Sequence, residues 1–205
     1  MSIFGPLGKL ILTVYVSDVF LILLMYIPML VLLARFPLKR FFKNIWRLWL
    51  VTASTTSSSG SLPVTTAITN EDFKVSPELS AFSLPLGATI NMNGGCIYYA
   101  AAVVLTAQMY QIDLSPAALF NVIVSTVLMA MGYPGVPGGA IIMTTILLTN
   151  MGLPLEVVGL IAGIFRLIDM ANTTFNCTGT VVTTLVVARS EKMFVEEPNA
   201  QNKSA

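Results

Sequence analysis

The chain has 205 residues, 55% of them hydrophobic and only 10% charged, with a net charge of +1 and no histidine. A soluble domain carries roughly 25% charged residues, so this composition cannot clothe a water-exposed surface and points to an integral membrane protein. Without histidine, and with two cysteines in apolar stretches (Cys96 and Cys177, read as small packing residues), a metal site has few soft ligands.

In chain order, five hydrophobic regions follow one another, and they are not alike. The first, residues 7–36, contains Asp18 as its only charge between Leu10 and Ala34. It exceeds the roughly 20 residues that span a bilayer and is too long for the apolar part of a signal peptide, so it is a retained transmembrane helix. Arg35, Lys39, Arg40, Lys43 and Arg47 then supply five of the 11 basic residues. The positive-inside rule assigns this 35–47 loop to the cytoplasm. Phe41, Phe42, Trp46 and Trp49 interleave with the charges, the pattern of an anchor at lipid headgroups; no nucleic-acid partner is expected.

The second region, 41–69, is broken by "TTSSSGSLPVTT", and each half is too short to cross as a helix. The third, 81–110, is long enough to span but is interrupted by "NMNGG". The fourth, 116–151, is split by "GYPGVPGG". The fifth, 154–190, carries "RLIDMANTTFNCTGT" from Arg166 to Thr180. Residues 193–205 close the chain as a polar tail, with fraying expected from Glu191 onward.

Regions two and four share one design: apolar halves around an uncharged tip of glycine, proline and small polar residues. Such tips suit hairpins that enter the membrane and turn back, because irregular backbone at that depth is tolerated only inside protein or against a wet cavity. Two of them in two halves of a chain mark an inverted-repeat transporter with a midplane site. The expected fold is all-α and integral to the membrane: re-entrant hairpin 1 at 41–69, a broken transmembrane helix at 81–110, re-entrant hairpin 2 at 116–151, and a transmembrane helix with a substrate motif at 154–190.

At 100° per residue, Asp169, Asn172, Thr173, Asn176 and Thr180 fall within an arc of roughly 100°, while Thr174 and Thr178 lie off it. Interhelical packing accounts for threonines and asparagines. It accounts poorly for Asp169, since a carboxylate in the membrane must be neutral or meet a cation. Two cations qualify: the guanidinium of Arg166 three residues earlier, or a ligand ammonium. Composition alone does not choose. The hydroxyls of Ser57, Ser58 and Ser59 and the free amides around Gly60 suit a carboxylate. Together with Asp169 they describe a site for an α-amino acid.

Four segments, in this order, resemble the dicarboxylate/amino acid:cation symporter family, which includes the excitatory amino acid transporters. They are "SSSGSLP" at 57–63, "LPLGATINMNGG" at 84–95, "GVPGG" at 135–139 and "DMANTTFNCTG" at 169–179. The resemblance covers about residues 8 to 192 and implies an elevator-type transport domain, with the outer hairpin as a gate. It implies Asp169 as the holder of the substrate ammonium, and Asn176 with Ser57, Ser58 and Ser59 as holders of its α-carboxylate. Thr173 and Asn172 would line the site. Gly135, Val136, Pro137 and Gly138 would form the gate tip. Gly87, Thr89 and Asn91, with Asn93, Asn176 and Thr180, would stand at the sodium contacts.

The departures from the family pattern matter as much. Acidic-substrate members carry an arginine where Asn172 stands, and a helping threonine where Gly95 stands. A neutral or polar amino acid is therefore expected, because an amide cannot balance a second buried carboxylate. Asn93 and Thr180 replace two aspartates that bind sodium in the family. Altered or reduced sodium coupling follows, with sodium or a proton as the coupling ion and no other cofactor. The chain begins at what resembles the sixth of eight spanning helices. Scaffold helices would come from upstream sequence or another chain, and the resemblance implies a homotrimer in the cell membrane. The expected function is secondary active symport of amino acids. The alternative is a truncated or accessory membrane fragment without transport activity of its own. No enzyme is expected: no nucleophile has a base beside it, and no phosphate loop is present. Polar linings also suit ion channels, but the hairpin tips favour occlusion of a solute.

Overall fold

A computed structural model describes residues 4–132 and 137–196. The described residues are helical almost throughout, in eight α-helices. α1 (Phe4–Leu21) continues through π-helical turns at Ile22–Tyr26 and Met29–Leu33. Pro28 lies between these turns and lacks an N–H, so the ladder widens there. α1 buries a stripe of Leu7, Leu10, Val14, Asp18, Tyr26 and Leu30 and leaves Leu12, Val19, Phe20, Leu23 and Leu24 exposed. A helix with that many exposed apolar groups is made for lipid.

α2 (Leu38–Thr55) is amphipathic: Phe41, Ile45, Leu48 and Thr52 are buried at helical spacing. Lys39, Phe42, Lys43, Trp46 and Arg47 form its outer face. Its end is set by Thr56, left-handed at φ 49°, whose amide donates to the Thr52 carbonyl. That conformation is unusual for a β-branched residue and needs support from elsewhere. After the serine turn, α3 (Leu62–Ala67) extends through a π turn to Asp72.

α4 (Pro77–Ile90) starts on the Ser76 side chain, which accepts from the Leu79 amide. It breaks at Asn91 and Met92, with ψ of 72° and 53°, and resumes as α5 (Asn93–Met109). α6 (Pro116–Met131) and α7 (Gly139–Asn150) form the second hairpin. Gly138 begins α7 at φ 79°, a conformation that glycine adopts without Cβ cost. α8 (Glu156–Ser190) runs unbroken through the centre. Among the described residues, three stretches are long and apolar enough to cross a membrane: Gly5–Leu33, Pro77–Met109 and Glu156–Ser190.

Two apolar clusters flank the polar middle of α8. One gathers Val14, Tyr98, Ala102, Leu148, Ile161 and Phe165; the other Tyr26, Phe41, Phe73, Val181 and Leu185. Residues 193–195 depart from the expected fraying. The Ser76 amide donates to the Met193 carbonyl (2.8 Å), and the Val195 amide to the Lys74 carbonyl (2.8 Å). Phe194 also stacks on Phe36, so apolar contact holds residues 193–195 against the fold. The gate residues Gly135 and Val136 lie outside the described residues.

Candidate functional site

The polar strip of α8 faces inward. Asp169, Thr173 and Asn176 are each 4% exposed and Asn172 is 2% exposed. The off-arc threonines serve packing: Thr174 Oγ1 meets Thr52 Oγ1 (2.9 Å), and Thr178 Oγ1 accepts from Trp49 Nε1 (2.9 Å). Both fix α2 against α8.

Asp169 and Arg166 do not pair. Among the described residues the ion pair within 4 Å joins Arg47, on the outer face of α2, to Asp72 (3.0 Å). Arg166 instead crosses to hairpin 1, where Nη1 donates to Thr56 Oγ1 and Nη2 to the Ser54 carbonyl (2.6 Å). These bonds supply the support that left-handed Thr56 requires. Arg166→Ala removes two charge-assisted bonds worth roughly 1.5–3 kcal/mol each. Amide hydrogen exchange across Ser54–Ser61 is expected to quicken by at least about tenfold. An unchanged exchange rate would mean that the tip is held by other contacts.

The Asp169 carboxylate has modest company. Thr173 Oγ1 donates to Oδ1 at 3.5 Å, and the Gly138 amide at the tip of hairpin 2 is its other hydrogen-bonding neighbour. Hairpin 2 therefore reaches this carboxylate with its backbone. Pro137 beside Gly138 is exposed.

The three serines divide. Ser57 Oγ accepts from the Gly60 amide (3.0 Å) and caps its own turn. Ser58 is buried, with its hydroxyl on the Cys177 thiol, and Ser59 is exposed. The serine tip thus lies on α8 at Cys177, roughly 12 Å beyond Asp169 at 1.5 Å per residue.

Asn176 joins α8 to the break between α4 and α5. Its Oδ1 accepts from the Gly94 amide (2.8 Å), a donor freed by the interrupted helix. Its Nδ2 has only the Met92 thioether at 3.3 Å, a weak acceptor. Asn172 Oδ1 is buried with no partner. Such an orphan acceptor costs about 1–3 kcal/mol unless something binds it.

The residues expected near cations are mostly brought together, but as a closed neutral network. Asn91 Nδ2 donates to Thr180 Oγ1 (3.2 Å), and that hydroxyl donates to the Asn176 carbonyl (3.1 Å). Asn93 Nδ2 donates to Tyr26 Oη (3.0 Å), which donates to the Phe175 carbonyl (2.9 Å). Gly87 lies flat against Thr180, where a Cβ would collide with the side chain. Thr89 turns away: it is exposed and donates to the Leu86 carbonyl (2.7 Å). A groove of about 210 Å³ between α4 and α8 reaches Gly87, Asn91 and Thr180. Its neutral groups, with donors already turned inward, do not fit a sodium ion as they stand.

Three residues of this region were not singled out from sequence: Tyr26, Met92 and Thr56. Only Tyr26 leaves a signal, as a hydroxyl on the buried stripe of an apolar helix.

The sequence has relatives among known proteins. Residues 1–190 match the sodium:dicarboxylate symporter family. The chain is 30% identical over 203 residues to the proton/glutamate-aspartate symporter of Bacillus subtilis (strain 168), covering 97% of this chain and 49% of that protein. It is 33% identical over 139 residues to human excitatory amino acid transporter 2, covering 68% and 24%. Against excitatory amino acid transporter 3 of Oryctolagus cuniculus it is 33% identical over 164 residues, covering 80% and 31%. It thus spans about half the length of the bacterial relative, or less of the animal ones. The chain belongs to the sodium:dicarboxylate symporter family.

Proposed function

We propose that this chain forms the substrate-binding part of an amino acid symporter, and that its substrate is a neutral, polar amino acid. The observation that carries the reading is the buried Asp169 carboxylate, left unpaired while Arg166 bonds to hairpin 1. A substrate ammonium would complete it. With the ammonium on Asp169, the α-carboxylate extends along α8 toward Asn176. There Nδ2 would exchange a thioether for an anionic acceptor, a gain of hydrogen-bond strength.

The Bacillus subtilis relative is a proton/glutamate-aspartate symporter. Two features support a different preference here. No cation is free on the α8 face, and a second carboxylate left unbalanced there costs several kcal/mol. The orphan oxygen of Asn172 calls for a donor, which the hydroxyl or amide of a polar side chain supplies and a carboxylate does not.

Reduced sodium coupling belongs to the same reading, since the Asn91–Thr180 and Asn93–Tyr26 pairs satisfy one another without an ion. So do two re-entrant hairpins, a cytoplasmic basic loop at 35–47, scaffold helices outside this chain, and a trimeric assembly in the cell membrane.

Uptake into proteoliposomes tests the preference. Labelled serine or asparagine is expected to be taken up with at least about tenfold preference over glutamate, the range set by one well-made polar contact. Sodium replacement is expected to reduce the rate only weakly. Equal handling of glutamate and serine would overturn the substrate class. Binding without uptake would instead support the accessory-fragment alternative.

A further inference from the structure

α1 carries a carboxylate for which the site above has no use. Asp18 occupies the core stripe of α1, in register with Leu10 and Val14 on one side and Tyr26 and Leu30 on the other. It is 0% exposed, and neither Oδ1 nor Oδ2 has a hydrogen-bond partner. An apolar residue would pack there at no electrostatic cost. An isolated ionised carboxylate would cost many kcal/mol.

The surroundings supply no counter-ion. Tyr15 and Tyr26 are the titratable side chains within electrostatic reach of Asp18. Both hydroxyls are committed to α8: Tyr15 donates to the Leu167 carbonyl (2.8 Å) and Tyr26 to the Phe175 carbonyl (2.9 Å). The other titratable groups on the packed helices are Cys96, Tyr98 and Tyr99 on α5 and Arg166, Asp169 and Cys177 on α8, with Glu156 and Arg189 at the two ends of α8. Arg166 points to hairpin 1, and Tyr98 bonds to Thr144 on α7. The one lysine of α1, Lys9, is exposed.

A sodium ion needs a shell of several oxygens, and the two neighbouring hydroxyls are already fixed on carbonyls. A proton needs no shell and no space. We propose that Asp18 is a proton-carrying group of this transporter, loaded in the conformation described here and released when α1 moves against α8. The two tyrosine bonds are the hinge points of that movement, because they tie α1 to α8 on either side of the carboxylate. In the step, the carboxylate takes one proton from water on one side and returns it to water on the other. No bond other than O–H changes. This rests on the symporter reading for its purpose, but the protonated side chain can be seen without transport.

Infrared difference spectroscopy of the purified full chain near neutral pH provides the direct test. A carboxylic-acid C=O band that shifts in heavy water is expected in the unaltered protein and in Asp169→Asn. It should be lost in Asp18→Asn, which keeps size and packing. In pyranine-loaded proteoliposomes, Asp18→Asn is expected to lose proton movement coupled to amino acid uptake while binding the amino acid with unchanged affinity. Asp18→Leu, which suits the apolar stripe, should behave alike and rule out an effect of the amide. A band that persists in Asp18→Asn, or proton coupling that survives in both variants, would overturn the proposal. Failure of amino acid binding in the unaltered protein would strike the symporter reading and leave the infrared result standing.

Discussion

Asp169→Asn is expected to weaken amino acid binding by at least roughly 30-fold, because removing one partner of a buried charge pair costs about 2–5 kcal/mol. The substitution keeps the shape of the side chain. Its Oδ1 can still accept from Thr173 and from the Gly138 amide, so the hairpin 2 contact and the fold should survive. What disappears is the negative charge that a bound ammonium needs. Titration calorimetry on the detergent-solubilised protein reads the affinity, and the unfolding midpoint read alongside should stay within a few degrees. Undiminished binding would remove Asp169 from the site. The neighbouring Arg166→Ala offers a contrast, since its effect should appear in hairpin 1 dynamics rather than in ammonium recognition.

The second large effect concerns packing. Gly94→Ala places a Cβ 2.8 Å from Asn172 Cα and 3.0 Å from the Asn172 carbonyl oxygen. Both are backbone atoms of the central helix and cannot step aside, so α5 must move off α8. Such overpacking costs typically about 1–3 kcal/mol. The shift would also stretch the Gly94 amide bond to Asn176 and displace Asn172, so binding should suffer with stability. A drop in unfolding midpoint of roughly 5 °C is expected. The adjacent Gly95→Ala is the matched control, since its new Cβ meets Met92 at 3.5 Å and Tyr99 at 3.7 Å, ordinary contact distances. Similar midpoints for the two variants would show that the close approach of α5 to α8 carries no weight.

The inward face of α8 was legible because helical period is a one-dimensional property. Counting 100° per residue separates Asp169, Asn172, Thr173, Asn176 and Thr180 from Thr174 and Thr178; both sets are buried, and it is the second that bonds to α2. The helical breaks were legible for a related reason, since clusters of glycine, proline and small polar residues favour turns and caps over a continued helix, although Gly94 and Gly95 themselves fall inside α5. Partners were another matter. The choice of Arg166 between Asp169 and hairpin 1 depends on a residue more than a hundred positions away, Thr56. Local spacing holds no record of such a contact. The local bond of the serine run was not read from sequence: the Ser57 hydroxyl accepts from the Gly60 amide three residues on, the turn bond that serines favour. Thr89 likewise spends its hydroxyl on its own helix. The tail from Glu191 onward reads as polar as a whole, yet it contains the apolar run 193–195, and Phe194 seats that run on Phe36.

The neutral network around Thr180 and the lone carboxylate of Asp18 fit one physical account. At the break between α4 and α5, hydrogen bonds between amides and hydroxyls close the gaps. The carboxylate of Asp18 lies without a hydrogen-bond partner in the core stripe of α1. On the proposed reading, the first offers no shell for a metal cation and the second offers a place for a proton.

The recognition of a zwitterion by Asp169 is tested most directly without any substitution, by calorimetric titration of the unaltered protein with L-serine and with the hydroxy acid that lacks only its ammonium. The predicted result is binding of serine and a loss of at least about 30-fold for the hydroxy acid, the penalty for a buried carboxylate left without its cation. Equal affinity for the two would contradict it, because nothing in the site would then be reading the ammonium.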